Sequence, residues 1–168
     1  MLPPINFKEW IEKNRDKLKP PVCNQVVYEN TEFIIMVVGG PNIRKDYHVD
    51  EGEEFFYQIE GDMTLKIIKD EEVQDINIKQ GEIFLLPPLV PHSPQRYENT
   101  VGLVIERKRH DNELDGFQWY CDSCNNLLYE KFFYLENIVT QLPVIFDNFW
   151  KNDIYRTCQK CNHYLEKP

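Results

Sequence analysis

Two sets of residues in this sequence have the types and spacing of metal ligands. The first is His48, Glu54 and His92. They stand in the rows His48-Val49-Asp50-Glu51-Gly52-Glu53-Glu54, followed by Gly61, and Gly81-Glu82-Ile83-Phe84-Leu85-Leu86-Pro87-Pro88-Leu89-Val90-Pro91-His92. Two neutral imidazoles and one carboxylate occupy one face of an octahedron and leave positions open for other molecules, the donor set of non-haem Fe(II) centres. The second set is Cys121-Asp122-Ser123-Cys124 with Cys158-Gln159-Lys160-Cys161. Four thiolates offered from two tight turns suit a closed tetrahedral site for zinc or iron, which leaves no open position and implies a structural role.

Each set also has a plainer reading. A lone histidine is more often a hydrogen-bonded core or surface residue than a ligand, and Asp50 to Glu54 taken alone reads as a solvated loop. The cysteines could form two disulfides or a redox pair, although duplicated knuckles favour metal. Cys23 is left over as a buried or incidental thiol.

Separated ligands meet only if the fold brings them together. From Val22 to about Glu106 the chain reads as short β-rich runs, roughly 22–28, 32–38, 54–59, 63–69, 73–78, 82–86 and 101–106. Gly39-Gly40-Pro41-Asn42, Gly61-Asp62, Gln80-Gly81 and Pro87-Pro88 punctuate them. Many short strands at such spacing predict a sandwich or jelly-roll barrel, whose inward positions converge on one lumen. Before the strands, Asn6 as N-cap with Glu9 three residues on, and Phe7, Trp10, Ile11 and Leu18 near one face, predict a helix that Pro20-Pro21 stops. After them, the polar segment Lys108 to Asp115 separates a C-terminal part with a helix near Gln141 to Asp153, where Thr140 is the expected cap and Pro143 falls in the first turn. The expected division is a barrel with its helix over 1–110 and an extension over 111–168.

Composition bounds the function. The 168 residues are 42% hydrophobic and 13% aromatic, enough for a sizeable core, and 28% charged with a net charge of −9. That acidic balance argues against a nucleic-acid partner, which needs a basic surface. The longest clean apolar run, Phe33 to Val38, is far below the roughly 20 residues that span a bilayer, so no membrane association is expected. With no charged n-region or apolar h-region at the start, the expectation is a cytosolic chain with reduced cysteines.

The two histidine-containing rows resemble the paired motifs of the cupin superfamily, with Asp50 where many cupins carry another ligand histidine, Leu89 in place of the usual glycine and Arg96 in place of the usual asparagine. The match narrows further. Val38-Gly39-Gly40-Pro41-Asn42-Ile43-Arg44-Lys45-Asp46-Tyr47-His48, Glu54-Phe55-Phe56-Tyr57-Gln58, Leu85-Leu86-Pro87, Val90-Pro91-His92-Ser93-Pro94-Gln95-Arg96, Val104-Ile105-Glu106-Arg107 and the C-terminal cysteines resemble the 3-hydroxyanthranilate 3,4-dioxygenase family in its short, single-cupin form.

This resemblance implies a mainly β cupin barrel, with an N-terminal helix and a small C-terminal extension carrying a metal knuckle. It implies Fe(II) on His48, Glu54 and His92, chelated by the hydroxyl and amine of the substrate, and a second iron or zinc on Cys121, Cys124, Cys158 and Cys161. The implied reaction opens 3-hydroxyanthranilate with O2 to 2-amino-3-carboxymuconate semialdehyde, a quinolinate precursor in the kynurenine route to NAD. Arg96 matches the arginine that binds the substrate carboxylate, Arg44 the arginine beside the O2 position and substrate, and Glu106 the substrate-contacting acid that accepts a proton. Alternation independently puts Gly102, Val104 and Glu106 on one strand face; without the resemblance, Glu106 reads as a charged strand end in water. Arg107 and Arg109 are expected on the surface, and a homodimer is expected from family habit. The competing readings are another metal-cupin enzyme (an isomerase or thiol dioxygenase) and a non-catalytic cupin whose zinc knuckle binds a protein.

Overall fold

The computed structural model describes residues 2–20, 23–136 and 138–168. Pro21, half of the expected helix stop, and Val22, the expected start of the first strand, lie outside the described residues. In chain order the elements are α1 (Phe7–Asn14), a short 3-10 turn (Arg15–Leu18), β1 (Asn24–Val26), β2 (Phe33–Gly39), β3 (Asp46–Val49), β4 (Glu54–Glu60), β5 (Met63–Lys69), β6 (Glu72–Ile78), β7 (Ile83–Leu86), β8 (His92–Arg96), β9 (Val101–Arg107), β10 (Asp115–Tyr120), β11 (Leu127–Phe133), α2 (Ile138–Trp150) and α3 (Asp153–Arg156).

The strands form two antiparallel sheets, in spatial order β1-β2-β9-β4-β7 and β11-β10-β3-β8-β5-β6. Their inner faces meet in a core of Phe56, Leu86 and Val104 from the first sheet and Met63, Leu65, Ile67 and Ile78 from the second. This is the two-sheet, mainly β architecture expected from the strand spacing. Asn6 caps α1 as expected, its side chain accepting from Glu9 N at 3.2 Å. Ile11 and Leu18 then pack with Val37 and Val101 on the outside of the five-stranded sheet.

The strand pattern does not anticipate β3, β8, β10 and β11. β8 reads His92-Ser93-Pro94-Gln95-Arg96, and a proline inside a central strand normally argues against one because it donates no ladder hydrogen bond. Here β3 pairs with β8 only at His48 opposite His92. Beyond that point the Asn42 side chain replaces the neighbour: its Nδ2 donates to Pro94 O at 3.0 Å and its Oδ1 accepts from Arg96 N at 2.7 Å. The missing donor of Pro94 therefore leaves no gap.

The boundary expected after residue 110 falls between β9 and β10, yet β10 continues the six-stranded sheet, running from Gly116 opposite Val49 to Trp119 opposite Asp46. Behind it β11 and α2 bury an aromatic cluster in which the fully buried Trp119 stacks on Phe149, ring centroids 4.4 Å apart. α2 starts at Ile138, so Thr140 lies inside the helix rather than capping it, and Pro143 sits beyond the first turn. Because the C-terminal part is one continuous packing unit with the strand that carries Asp115 and Phe117, truncating Trp119 to Ala should cost about 3–5 kcal/mol. A urea denaturation curve checks this; one cooperative transition with a lowered midpoint is expected, and a separate early transition of the C-terminal part would contradict it.

Candidate metal centre and substrate cavity

Strand register builds the first ligand set. Antiparallel pairing sets His48 directly opposite His92 on the inner face, and on the facing sheet it sets Glu54 opposite Glu106. The result brings one donor atom each from His48, Glu54 and His92 within 4.8 Å of one another. His92 Nδ1 lies 3.0 Å from the Val90 carbonyl oxygen, which can only accept, so that nitrogen carries hydrogen and Nε2 faces the carboxylate. His48 Nε2 lies 2.7 Å from Asp115 Oδ1, and the Phe117 ring stacks against its imidazole at 5.2 Å.

The donor chemistry fits a divalent cation. Glu54 Oε2 is buried and makes no aligned hydrogen bond, although His92 Nε2 is 2.8 Å away. Burial alone would raise the Glu54 carboxyl, but His92, His48 and Arg109 outweigh it and hold it near 2. Burial lowers His48, whereas His92 is raised because the Glu54 carboxylate overcomes its burial. The lowered Glu54 and the raised His92 both favour positive charge beside the carboxylate, while burial disfavours charge on the His48 ring itself. Acids outnumber arginines in and around the cavity, with Asp46, Asp50, Glu54, Glu106 and Asp115 against Arg44, Arg96 and Arg109, an imbalance that a bound cation offsets.

The three ligands open onto a cavity of about 210 Å³ walled by Met36, Val38, Phe56, Val104 and Phe117, with Phe133, Leu135 and Leu142 contributed by the C-terminal part. Arg44, Arg96 and Glu106 line the same cavity, so all the site residues expected outside the cysteine set are brought together. Arg44 pairs with Asp46, its Nε 3.1 Å from Oδ2. Arg96, only 3% exposed, has no acid pair among the described residues; its side chain contacts Gln58 Oε1 at 3.4 Å. Burial pushes its guanidinium down to about 10. Glu106 is pushed up to about 7, by burial first and then by the charge of Glu54, against the pull of Arg109.

Arg109 corrects the sequence expectation. Its side chain is mostly covered, 11% exposed, rather than spread on the surface, and links three acids: Asp115 at 2.7 Å, Asp50 at 3.1 Å and Glu106 at 3.1 Å. It lies past the end of β9, where alternation gives no guide to direction. Asp50 is thereby occupied by Arg109 and by Gly52 N, outside the ligand set. Asp115 is a further site residue that sequence reasoning does not single out, although the inward Asp115, Phe117 and Trp119 alternate with Gly116, Gln118 and Tyr120 in a period-two pattern. Arg107 does face outward, where it pairs with Glu113.

The cysteines converge as well. Cys121 Sγ lies 3.6 Å from Cys161 Sγ and Cys124 Sγ 3.6 Å from Cys158 Sγ, far beyond a disulfide bond of roughly 2.05 Å and close to the edge of a tetrahedron of four sulfurs around one metal. The two knuckles repeat one pattern. Ser123 N and Lys160 N each donate to the first cysteine sulfur at 3.4 Å, and Asn125 N and Asn162 N each donate to its carbonyl at 2.9 Å. Both asparagines take left-handed backbone (φ 57° and 59°), which asparagine tolerates better than most residues.

Fold and site together define a β-barrel protein with a two-histidine, one-carboxylate metal-binding centre and a separate four-cysteine cluster. The family model for 3-hydroxyanthranilic acid dioxygenase matches residues 1–150. A 3-hydroxyanthranilate 3,4-dioxygenase of Xanthomonas campestris pv. campestris (strain B100) is 54% identical over 168 residues, covering 100% of this chain and 95% of that one. The Bos taurus protein of the same name is 53% identical over 154 residues, 92% of this chain and 54% of its own. Among solved structures, a cupin-2 domain containing protein from Shewanella frigidimarina NCIMB 400 is similar at a TM-score of 0.49 and 20% identity, covering 62% of this chain and 94% of that one. The chain belongs to the 3-hydroxyanthranilic acid dioxygenase family.

Two outcomes follow from this geometry. In metal-free protein the Glu106 carboxyl should titrate near 7 by difference infrared spectroscopy. Loading a divalent ion neutralises the Glu54 charge that raises it, so the transition should move to lower pH; an upward or absent shift would contradict the charge balance. Cys121→Ser should lose one metal per chain by elemental analysis and lower the melting temperature, while unchanged values for both would remove the structural role of the knuckles.

Proposed function

We propose that this chain is a 3-hydroxyanthranilate 3,4-dioxygenase, which opens the aromatic ring of its substrate with O2 to give 2-amino-3-carboxymuconate semialdehyde. Family membership supports the reaction. The observation in the chain itself that carries the reading is Arg96, a buried guanidinium with no acid pair among the described residues, lining the same cavity as His48, Glu54 and His92. A buried unpaired cation is costly unless a ligand supplies the anion, and a planar guanidinium suits a ring carboxylate through two parallel hydrogen bonds. Another metal-cupin enzyme or a non-catalytic module is not favoured, because neither accounts for that cation or for the family match.

His48, Glu54 and His92 would hold ferrous ion. When bound, the ion supplies a chelation point for the ring hydroxyl and amine and an open position for O2. The protein does the rest. Arg96 seats the carboxylate and so fixes which ring edge faces the ligands. Glu106, near 7, is poised to accept the proton that the hydroxyl or amine sheds on binding. Arg44, held in place by Asp46, lines the cavity with the ligands and would offer its N–H donors to O2 or the ring. Met36, Val38, Phe56 and Val104 keep the wall apolar and exclude water.

Five unpaired cysteines suit a reducing compartment, and we place the enzyme in the cytosol with iron or zinc on four of them, Cys121, Cys124, Cys158 and Cys161. Among the described residues no helix is long and apolar enough to cross a membrane. Exposed Phe33, Ile83 and Leu85 on the outer face of the five-stranded sheet support a homodimer.

Anaerobic loading with Fe(II), followed by 3-hydroxyanthranilate and air, should produce the near-ultraviolet absorbance of the semialdehyde only when iron is present. Turnover without iron, or none with it, would overturn the reading. Arg96→Ala should raise the substrate dissociation constant by about tenfold to a few hundredfold, the loss of a charge-assisted pair, while leaving iron affinity close to that of the parent. Equal loss of both would mean that Arg96 does not seat the carboxylate.

A further inference from the structure

Behind Arg96 lie two residues that do not line the cavity. Gln58 and Gly102 face each other across the β4–β9 ladder, and both meet the guanidinium from behind. Gln58 is almost fully buried. Its Nε2 donates to the Glu60 carbonyl oxygen at 3.2 Å, which fixes the amide with Oε1 toward Arg96 Nη1. Gly102 sits in ordinary strand backbone, not among the left-handed positions, so conformational freedom does not explain the glycine. Space does: a Cβ at 102 would stand 2.5 Å from Arg96 Nη1 and 2.8 Å from Gln58 Oε1.

We propose that Gln58 and Gly102 are positioning residues that set specificity for an anionic ring substrate, a reading that rests on the proposed ring-cleaving function. Gly102 leaves the flat floor on which the guanidinium lies. Gln58 supplies one neutral acceptor at its back and no counter-charge, so the remaining N–H donors and the full positive charge stay available to the ligand. A carboxylate at position 58 would instead complete a buried ion pair inside the protein, and the substrate's own carboxylate would then compete with it.

The test uses iron-loaded wild type, Gln58→Glu and Gly102→Ala. The atoms that a Cβ at 102 would strike are the far ends of flexible side chains, so Gly102→Ala should fold while displacing Arg96. Two ring substrates are compared, 3-hydroxyanthranilate and 2-aminophenol, which keeps both ring donors and lacks the carboxylate. Binding of anthranilate, which has the carboxylate but no hydroxyl, is measured by calorimetry. The ratio of kcat/KM for 3-hydroxyanthranilate over 2-aminophenol should fall by about tenfold or more in either variant, and the anthranilate dissociation constant should rise comparably. An equal fall for both substrates, or anthranilate bound by both variants as tightly as by wild type, would overturn the inference. If wild type cleaves neither ring yet binds anthranilate more tightly than the variants, the anion seat stands and the ring-cleaving reading falls.

Discussion

Two imidazoles and a carboxylate brought within 4.8 Å of one another inside a protein are held there against strong desolvation, and the rest of this structure is arranged around that constraint. The carboxylate oxygen of Glu54 points at His92 Nε2 without an aligned hydrogen bond, while the other His92 nitrogen is committed to a backbone carbonyl. Such an arrangement is stable only when positive charge is shared among the three groups. A proton satisfies it in part; a divalent ion with three protein donors satisfies it fully and leaves coordination positions for other molecules.

The surrounding charges divide into those that are paired within the protein and those left for a ligand. Arg109 binds Asp50, Glu106 and Asp115 at once, and Asp115 in turn touches His48. This ties the end of β9, the loop before β4 and the start of β10 into one rigid frame behind the metal ligands. Arg44 is tied to Asp46. Arg96 alone of the three cavity guanidiniums lacks an acid among the described residues, and its backbone is clamped by the Asn42 side chain on one side and by β5, opposite Met63, on the other. The uncompensated charge and the anchored backbone occur at the same residue, as a site for an anionic substrate requires.

Much of this could be read from residue types and spacing. The His48, Glu54, His92 set and the paired cysteine knuckles followed from motif, the shared face of Gly102, Val104 and Glu106 from alternation, and the two-sheet β class from strand spacing, whereas only the family resemblance turned Glu106 inward. What escaped had physical reasons. β8 carries a proline that a strand pattern penalises, and Asn42, far away in sequence, is what makes it acceptable. β3 is short and polar because half of it faces a charged cavity. Arg109 follows the strand end, where period-two reasoning stops, and its burial comes from three acids on three different elements. Asp115 sat inside a segment whose polarity suggested a linker, although the strand it opens alternates cleanly. Polar residues that serve a buried site look like surface in a sequence, since only the fold shows where their partners lie.

Metal stoichiometry by elemental analysis, paired with oxygen consumption on 3-hydroxyanthranilate, tests the central claim most directly when applied to wild type and to a His48→Ala/His92→Ala double variant. Two metals per chain with uptake in wild type, and one metal with uptake abolished in the variant, is the expected result. A variant that keeps both metals or still consumes oxygen would contradict the assignment of these side chains as the holders of the reactive ion.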